Sequence, residues 1–222
     1  SYLRALGKRA DEVASLIEAQ GALSPELASS IREAETLAAL EDLYRPYRPK
    51  RRTRASIAKE RGLLPLADIL WEQFPKTDPK AEAARFTGEE VPDTEAALAG
   101  AMDILAERIA DDADIRGRLR KQIESSGTVV CEGDASKESV YSGYCDFSEE
   151  VRRIAGHRVL AIDRGEREEF LKVHIRVDAE KLCREIDGRV LARRPSKCGE
   201  LVALAVRDAW ARLLFPHSQS EI

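Results

Sequence analysis

Apolar residues at Leu3, Leu6, Ala10, Val13 and Ile17 recur at spacings of three and four, the stripe of an amphipathic helix that Gly21 can end. Ser24-Pro25-Glu26 predicts a second helix running to the Ile31 region, because the serine hydroxyl can accept an orphan amide and a proline at the first helical position sacrifices no hydrogen bond. A third helix over Leu37 to Leu43 completes a hairpin with the second. Thr53 or Ser56 can cap a short helix from Ile57 to Arg61 that Gly62 terminates, and Pro65 opens another carrying Leu66, Ile69 and Leu70. A short helix at Pro79 to Arg85 precedes a long one capped by Thr94, with Leu98, Met102, Leu105 and Ile109 on one face, and Ile115, Leu119 and Ile123 continue the pattern.

After Gly127 the periodicity changes. Thr128-Val129-Val130-Cys131 is short, β-branched and bounded by glycines, and Phe170 to Val177 alternates apolar with polar, so both read as strands. The run Val159 to Ile162 fits a buried strand or helix and is read as a helix ending at Gly165. A last helix places Val202, Val206, Ala209 and Leu213 on one stripe, widened by Trp210 and Leu214, and Pro216 is expected to stop it. The fold class that follows is mainly α, a multi-helix bundle with helix-turn-helix-like hairpins and a small β element in the C-terminal third. The expected division is a helical domain over 1–126 and a helical segment with short strands over 127–222.

The sharpest local feature is Tyr44-Arg45-Pro46-Tyr47-Arg48-Pro49, where two prolines push their predecessors toward extended geometry and end the third helix near Tyr44. Arg45, Arg48, Lys50, Arg51, Arg52 and Arg54 follow one another here with no acid among them. Guanidinium groups bind phosphate bidentately and Tyr44 and Tyr47 could stack on bases, which makes an extended nucleic-acid-contacting loop of Tyr44, Arg45, Tyr47, Arg48, Lys50, Arg51, Arg52 and Arg54. The competing reading pairs these arginines with Glu33, Glu35, Glu41 and Asp42 and makes the loop a tether to the bundle.

The formal net charge of -4, with 34% charged and 5% aromatic residues, gives no global positive field, so any nucleic-acid contact is local. Cys131, Cys145, Cys183 and Cys198 are widely spaced without a CxxC pair, the pattern of reduced thiols in a cytoplasmic protein, and no metal or cofactor is expected. No apolar run approaches the ~18 residues of a membrane span, and the opening residues lack a secretory pattern. His157, Asp163 and Glu166 can be drawn together as a metal or acid–base cluster, but without a second ligand pair they read as helix-surface residues. Phosphate-loop, dinucleotide and nucleophile-elbow motifs are absent, and no enzyme is expected.

Two segments carry a family resemblance: LEDLYRPYRPKRRTRASIAKERGLLPL from Leu40 to Leu66 and HRVLAIDRGEREEFLKV from His157 to Val173. Both resemble signature stretches of the Tex family of bacterial RNA-binding transcription accessory proteins, related to a eukaryotic elongation factor and histone chaperone. ILAERIADD from Ile104 to Asp112 and RLLFP from Arg212 to Pro216 match in order. Departures are Ala155-Gly156 where Pro-Ser is usual and Asp163 where Asn is common, which alter the local cap. The resemblance implies the N-terminal helical portion of a longer scaffold that continues into an RNase H-like domain, helix-hairpin-helix elements and an OB-fold domain with the main RNA contacts. It further implies RNA or DNA phosphate, the transcription machinery and the remaining domains of the parent chain as partners, and a non-catalytic role. The alternative is a protein-interaction or purely architectural helical module, motivated by the acidic total charge and the many amphipathic helices.

Overall fold

A computed structural model describes residues 2–49, 52–134, 136 and 139–221, so Lys50 and Arg51 of the basic loop lie outside the described residues. The chain is mainly helical, with one small sheet in its C-terminal part. It divides into two compact units, one formed by Ser1–Gly117 with Glu185–Leu214 and the other by Arg118–Arg184 with Phe215–Ile222. Among the described residues no helix is long and apolar enough to cross a membrane.

In the first unit, α1 (Tyr2–Ala19), α2 (Pro25–Glu33) and α3 (Leu37–Tyr44) enclose Leu6, Val13, Ile17, Ile31, Leu40 and Tyr44. Ser24 and Thr36 accept from the amides of Leu27 and Ala39, each at 3.1 Å, and so fix the starts of α2 and α3. Gly21 takes a φ of 69°, the left-handed geometry that ends the first helix region.

After α3 the chain tightens into a 3₁₀ turn over Arg45–Tyr47 rather than the expected extended loop. Arg45 precedes a proline yet stays helical, at φ -50° and ψ -46°. Tyr44 and Arg45 carbonyls both accept from the Arg48 amide, at 3.0 and 3.3 Å, and these bonds outweigh the local proline preference. Extended geometry begins only at Arg48, before Pro49.

Next come α4 (Arg54–Glu60), α5 (Leu64–Glu72) and α6 (Pro79–Ala83), the last continuing as a 3₁₀ turn to Phe86. Thr53 caps α4 in a reciprocal box with Ser56. These helices pack around α7 (Thr94–Asp111). Its cap is Asp93, whose carboxylate accepts from the Ala96 amide at 2.7 Å, and not Thr94, which is the first helical residue. The buried face of α7 is also rotated from the expected one: Ala97, Ala101, Ile104, Leu105, Ile109 and Ala110 are inside while Leu98 and Met102 are half-buried. Small residues let neighbouring backbones come close, and at Gly100 an added Cβ would strike Leu63 and crowd Ala58.

α8 (Ala113–Ser126) and α10 (Ala179–Val190) each contain a unit boundary. In the second unit, β1 (Thr128–Gly133), β2 (Asp146–Glu150) and β3 (Leu171–Arg176) form an antiparallel sheet in the order β2-β1-β3. Cys131 of the central strand lies opposite Phe147 on one side and Val173 on the other. α9 (Gly156–Arg167) runs two residues past the expected end at Gly165, because that glycine is buried where Leu171 closes on the helix.

α11 (Lys197–Ala209) returns to the first unit and packs on α5 and α7. Pro216 does not stop it. The helix widens into a π segment over Trp210–Leu214 and resumes as α12 (Phe215–Glu221), with Pro216 in its first turn.

Candidate nucleic-acid interface

The basic turn is held at both ends by one face of α7. Arg45 Nε donates to Asp111 Oδ1 at 3.1 Å, and Thr53 Oγ1 donates to Glu107 Oε2 at 2.9 Å, with Lys59 Nζ 3.3 Å from Glu107 Oε1. Glu107 and Asp111 are one helical turn apart, so a single carboxylate edge fixes where the turn leaves and rejoins the bundle.

A second acidic anchor is Glu41 on α3. Arg9 Nε donates to its Oε1 at 2.6 Å, Arg9 Nη2 donates to Oε2 at 3.3 Å, and the Arg48 guanidinium pairs with the same carboxylate. The hydrogen bond from Arg9 holds the Glu41 carboxyl below the ordinary glutamate range, against the opposing pull of partial burial. Both guanidiniums also lie 5.5 Å from the centre of the Tyr44 ring.

Tyr44 is therefore an inward residue, 5% exposed in the core of the first unit, and its ring is occupied by arginines rather than offered to bases. Tyr47 is half-buried against the same core, and its carbonyl accepts from Gln20 Nε2 at 2.8 Å. Arg52 pairs with Glu60 at 3.4 Å with both side chains well exposed, 70% and 62%, a contact that contributes roughly 0–1 kcal/mol. Arg54 is exposed and borders a shallow depression shared with Asp103, where its positive charge opposes the upward push of burial on that carboxyl.

Of the four acids named as competing partners, Glu41 takes an arginine of the turn, while Asp42 is bound by Arg116 of α8. Arg116 Nε donates to Asp42 Oδ1 at 2.5 Å with both side chains almost sealed from solvent. Sequence reasoning misses this pair, because nothing local marks residues 74 positions apart as neighbours.

His157 is exposed on α9 and Asp163 pairs with Arg167 one turn along the same helix. Among the described residues no group of three or more histidines, cysteines or acids is placed to hold a metal ion. Ala155 precedes α9 without a side-chain cap, the local effect of the Ala155-Gly156 departure.

The sequence profile of the Tex central region-like family matches residues 74–222, more than half of the chain. The chain belongs to the Tex family. It is 44% identical to transcriptional accessory protein Tex of Neisseria gonorrhoeae over 178 residues, covering 79% of this chain and 23% of that protein. It is 34% identical to Bacillus subtilis YdcI over 228 residues, covering 100% of this chain and 32% of YdcI. A more distant human relative, S1 RNA-binding domain-containing protein 1, is 27% identical over 238 residues, covering 96% of this chain and 23% of that protein. This Tex chain thus spans between about a quarter and a third of the length of the relatives it matches.

Proposed function

We propose that this chain is a non-catalytic, cytoplasmic scaffold portion of a Tex-like transcription accessory protein that contacts the phosphate backbone of RNA or DNA weakly, through the turn after α3. The observation that carries this reading is the arrangement of that turn. Arg45 and Thr53 are tied back onto α7 while Arg48 and Arg52 keep side-chain exposures of 44% and 70%. Cationic side chains next to such anchors need little further ordering on meeting a phosphate chain. The names of its relatives, a transcriptional accessory protein and an S1 RNA-binding domain-containing protein, support this reading.

Titration of fluorescein-labelled single-stranded RNA and of duplex DNA at low salt tests it. Binding is expected to be weak, sequence-tolerant and steeply salt-dependent. Replacement of Arg48, Arg51 and Arg52 together by Ala should reduce both the affinity and the salt slope, and undiminished binding by this variant would remove the turn from the interface.

A second reading, a protein-interaction or architectural module, is favoured by the burial of Tyr44 and the carboxylate partners of Arg45 and Arg48. Loss of thermal stability in the triple variant, with no RNA affinity in the parent chain, would select it.

A further inference from the structure

A second acid-free basic run lies between Asp187 and Glu200, where Arg189, Arg193, Arg194 and Lys197 occur without an intervening carboxylate. It forms the turn from α10 to α11, and its cations divide sharply. Arg189 pairs with Asp114, and Lys197 stands 3.7 Å from Asp78. Arg193 and Arg194 at the apex are exposed and form no ion pair among the described residues. Their charge is thus undiminished, whereas Arg45 and Arg48 of the first turn are opposed by carboxylates.

The backbone beneath these two arginines is fixed from inside the bundle. Gln73, 5% exposed and left-handed at φ 53°, ends α5. Its side-chain oxygen accepts from the Ala192 amide at 3.0 Å, and its Nε2 donates to the Val190 carbonyl at 2.9 Å. On the far side Pro195 restricts the chain, and Ser196 caps α11 by accepting from the Gly199 amide at 2.9 Å. Adjacent guanidiniums on a backbone clamped at both flanks form a preorganised anion-recognition element, because little freedom remains to be lost on binding.

We propose that the α10–α11 turn is a second phosphate-contacting loop for single-stranded nucleic acid, with Arg193 and Arg194 each engaging a backbone phosphate. The proposal rests on the nucleic-acid reading above, but it assigns the contact to residues outside the turn after α3.

The test measures binding of fluorescein-labelled oligouridine RNA by the whole chain, across salt concentrations, for the double variants Arg193→Ala/Arg194→Ala and Arg193→Lys/Arg194→Lys and for the triple alanine variant of the first turn. Each phosphate contact to a single strand contributes about 0.7 to the slope of log affinity against log salt, so losing two lowers the slope by about 1.4. Between about 50 and 200 mM salt the double alanine variant should accordingly lose about sevenfold less affinity than the unaltered chain. The lysine pair should keep the original slope, because it retains both charges. A double alanine variant with the original slope, or a lysine pair as impaired as the alanine pair, overturns the proposal. So does capture of the chain by phosphatidylserine vesicles through Arg193 and Arg194 with no RNA bound. If the triple variant binds normally while the double alanine variant does not, the first turn fails as an interface and this one stands. The reverse result removes this one alone.

Discussion

Arg116 on α8 reaches across the first unit to Asp42 on α3, and the two side chains, 3% and 4% exposed, form a charged pair inside the bundle. Arg116 Nη1 also donates to the Ala110 carbonyl at 3.3 Å, so the same guanidinium secures the C-terminal turn of α7. Removing one member of a buried ion pair is strongly destabilising, at a cost of about 3–5 kcal/mol. Arg116→Met should lower stability by that order in urea denaturation. The double variant Asp42→Leu/Arg116→Met should recover most of it, since removing both charges also removes the desolvation penalty.

Gln73 supplies hydrogen bonds to two backbone groups of a segment more than a hundred residues away in sequence. Gln73→Ala orphans both and keeps a side chain in left-handed geometry, with an expected loss of about 1–3 kcal/mol. Gln73→Gly loses the same bonds but relieves the backbone, so it should be the milder change. Hydrogen exchange at the Ala192 amide gives a local readout: protection should fall in both variants, and unchanged protection would show that the clamp is dispensable.

Helical glycines ordinarily gain up to about 1 kcal/mol on replacement by alanine. Gly165 should show the opposite sign. A Cβ there would meet Leu171 Cδ1 at 2.7 Å and Tyr141 Cδ1 at 3.2 Å. Gly165→Ala is expected to destabilise the second unit by about 1–3 kcal/mol through overpacking, and Leu171→Val in the same chain should return part of the loss. Thermal melts of the single and double variants decide this.

Glu41 predicts an acid-side effect. Its folded-state ionisation lies below the ordinary glutamate value, so its stabilising contribution is fully present above that value and is lost as the pH falls through the depressed one. Glu41→Gln removes this linkage. Its urea midpoint should therefore fall less than that of the unaltered chain between about pH 6 and about pH 3, and parallel curves would contradict the assignment.

Local chemistry made much of the fold legible. The stripe through Val13 and Ile17, the Ser24 and Thr53 caps and the alternation in β3 each depend on neighbours a few residues away, and each appears where the pattern places it. α7 shows the limit of reading by side-chain size, since its inner face is built on alanines that let helices approach rather than on its larger Leu98 and Met102. β2 has no strand-like alternation of its own and exists because β1 offers it an edge. α10, which is not among the elements predicted from the sequence, carries a local signal in Leu182 and Ile186, and Asp178 accepts from the Lys181 amide at its start.

The candidate interface divides in the same manner. Composition alone marks the cationic run from Arg45 to Arg54, but which guanidiniums meet carboxylates depends on Asp111 and Glu41, brought there by the tertiary fold. The burial of Tyr44 likewise follows from α1 supplying Arg9 above its ring, a contact no local pattern announces.

The widened segment at Trp210–Leu214 closes its hydrogen bonds over one residue more than a regular helix, which shifts the side chains at its end by about 100°. Leu214 is consequently buried where an unbroken repeat from Val202 and Val206 points to Leu213. The phase of Leu213 and Leu214 is therefore set by a residue count rather than by residue type. Deletion of Arg212 would keep every hydrophobic side chain of these five positions and, by restoring the regular repeat, set Leu214 on the stripe of Val202 and Val206.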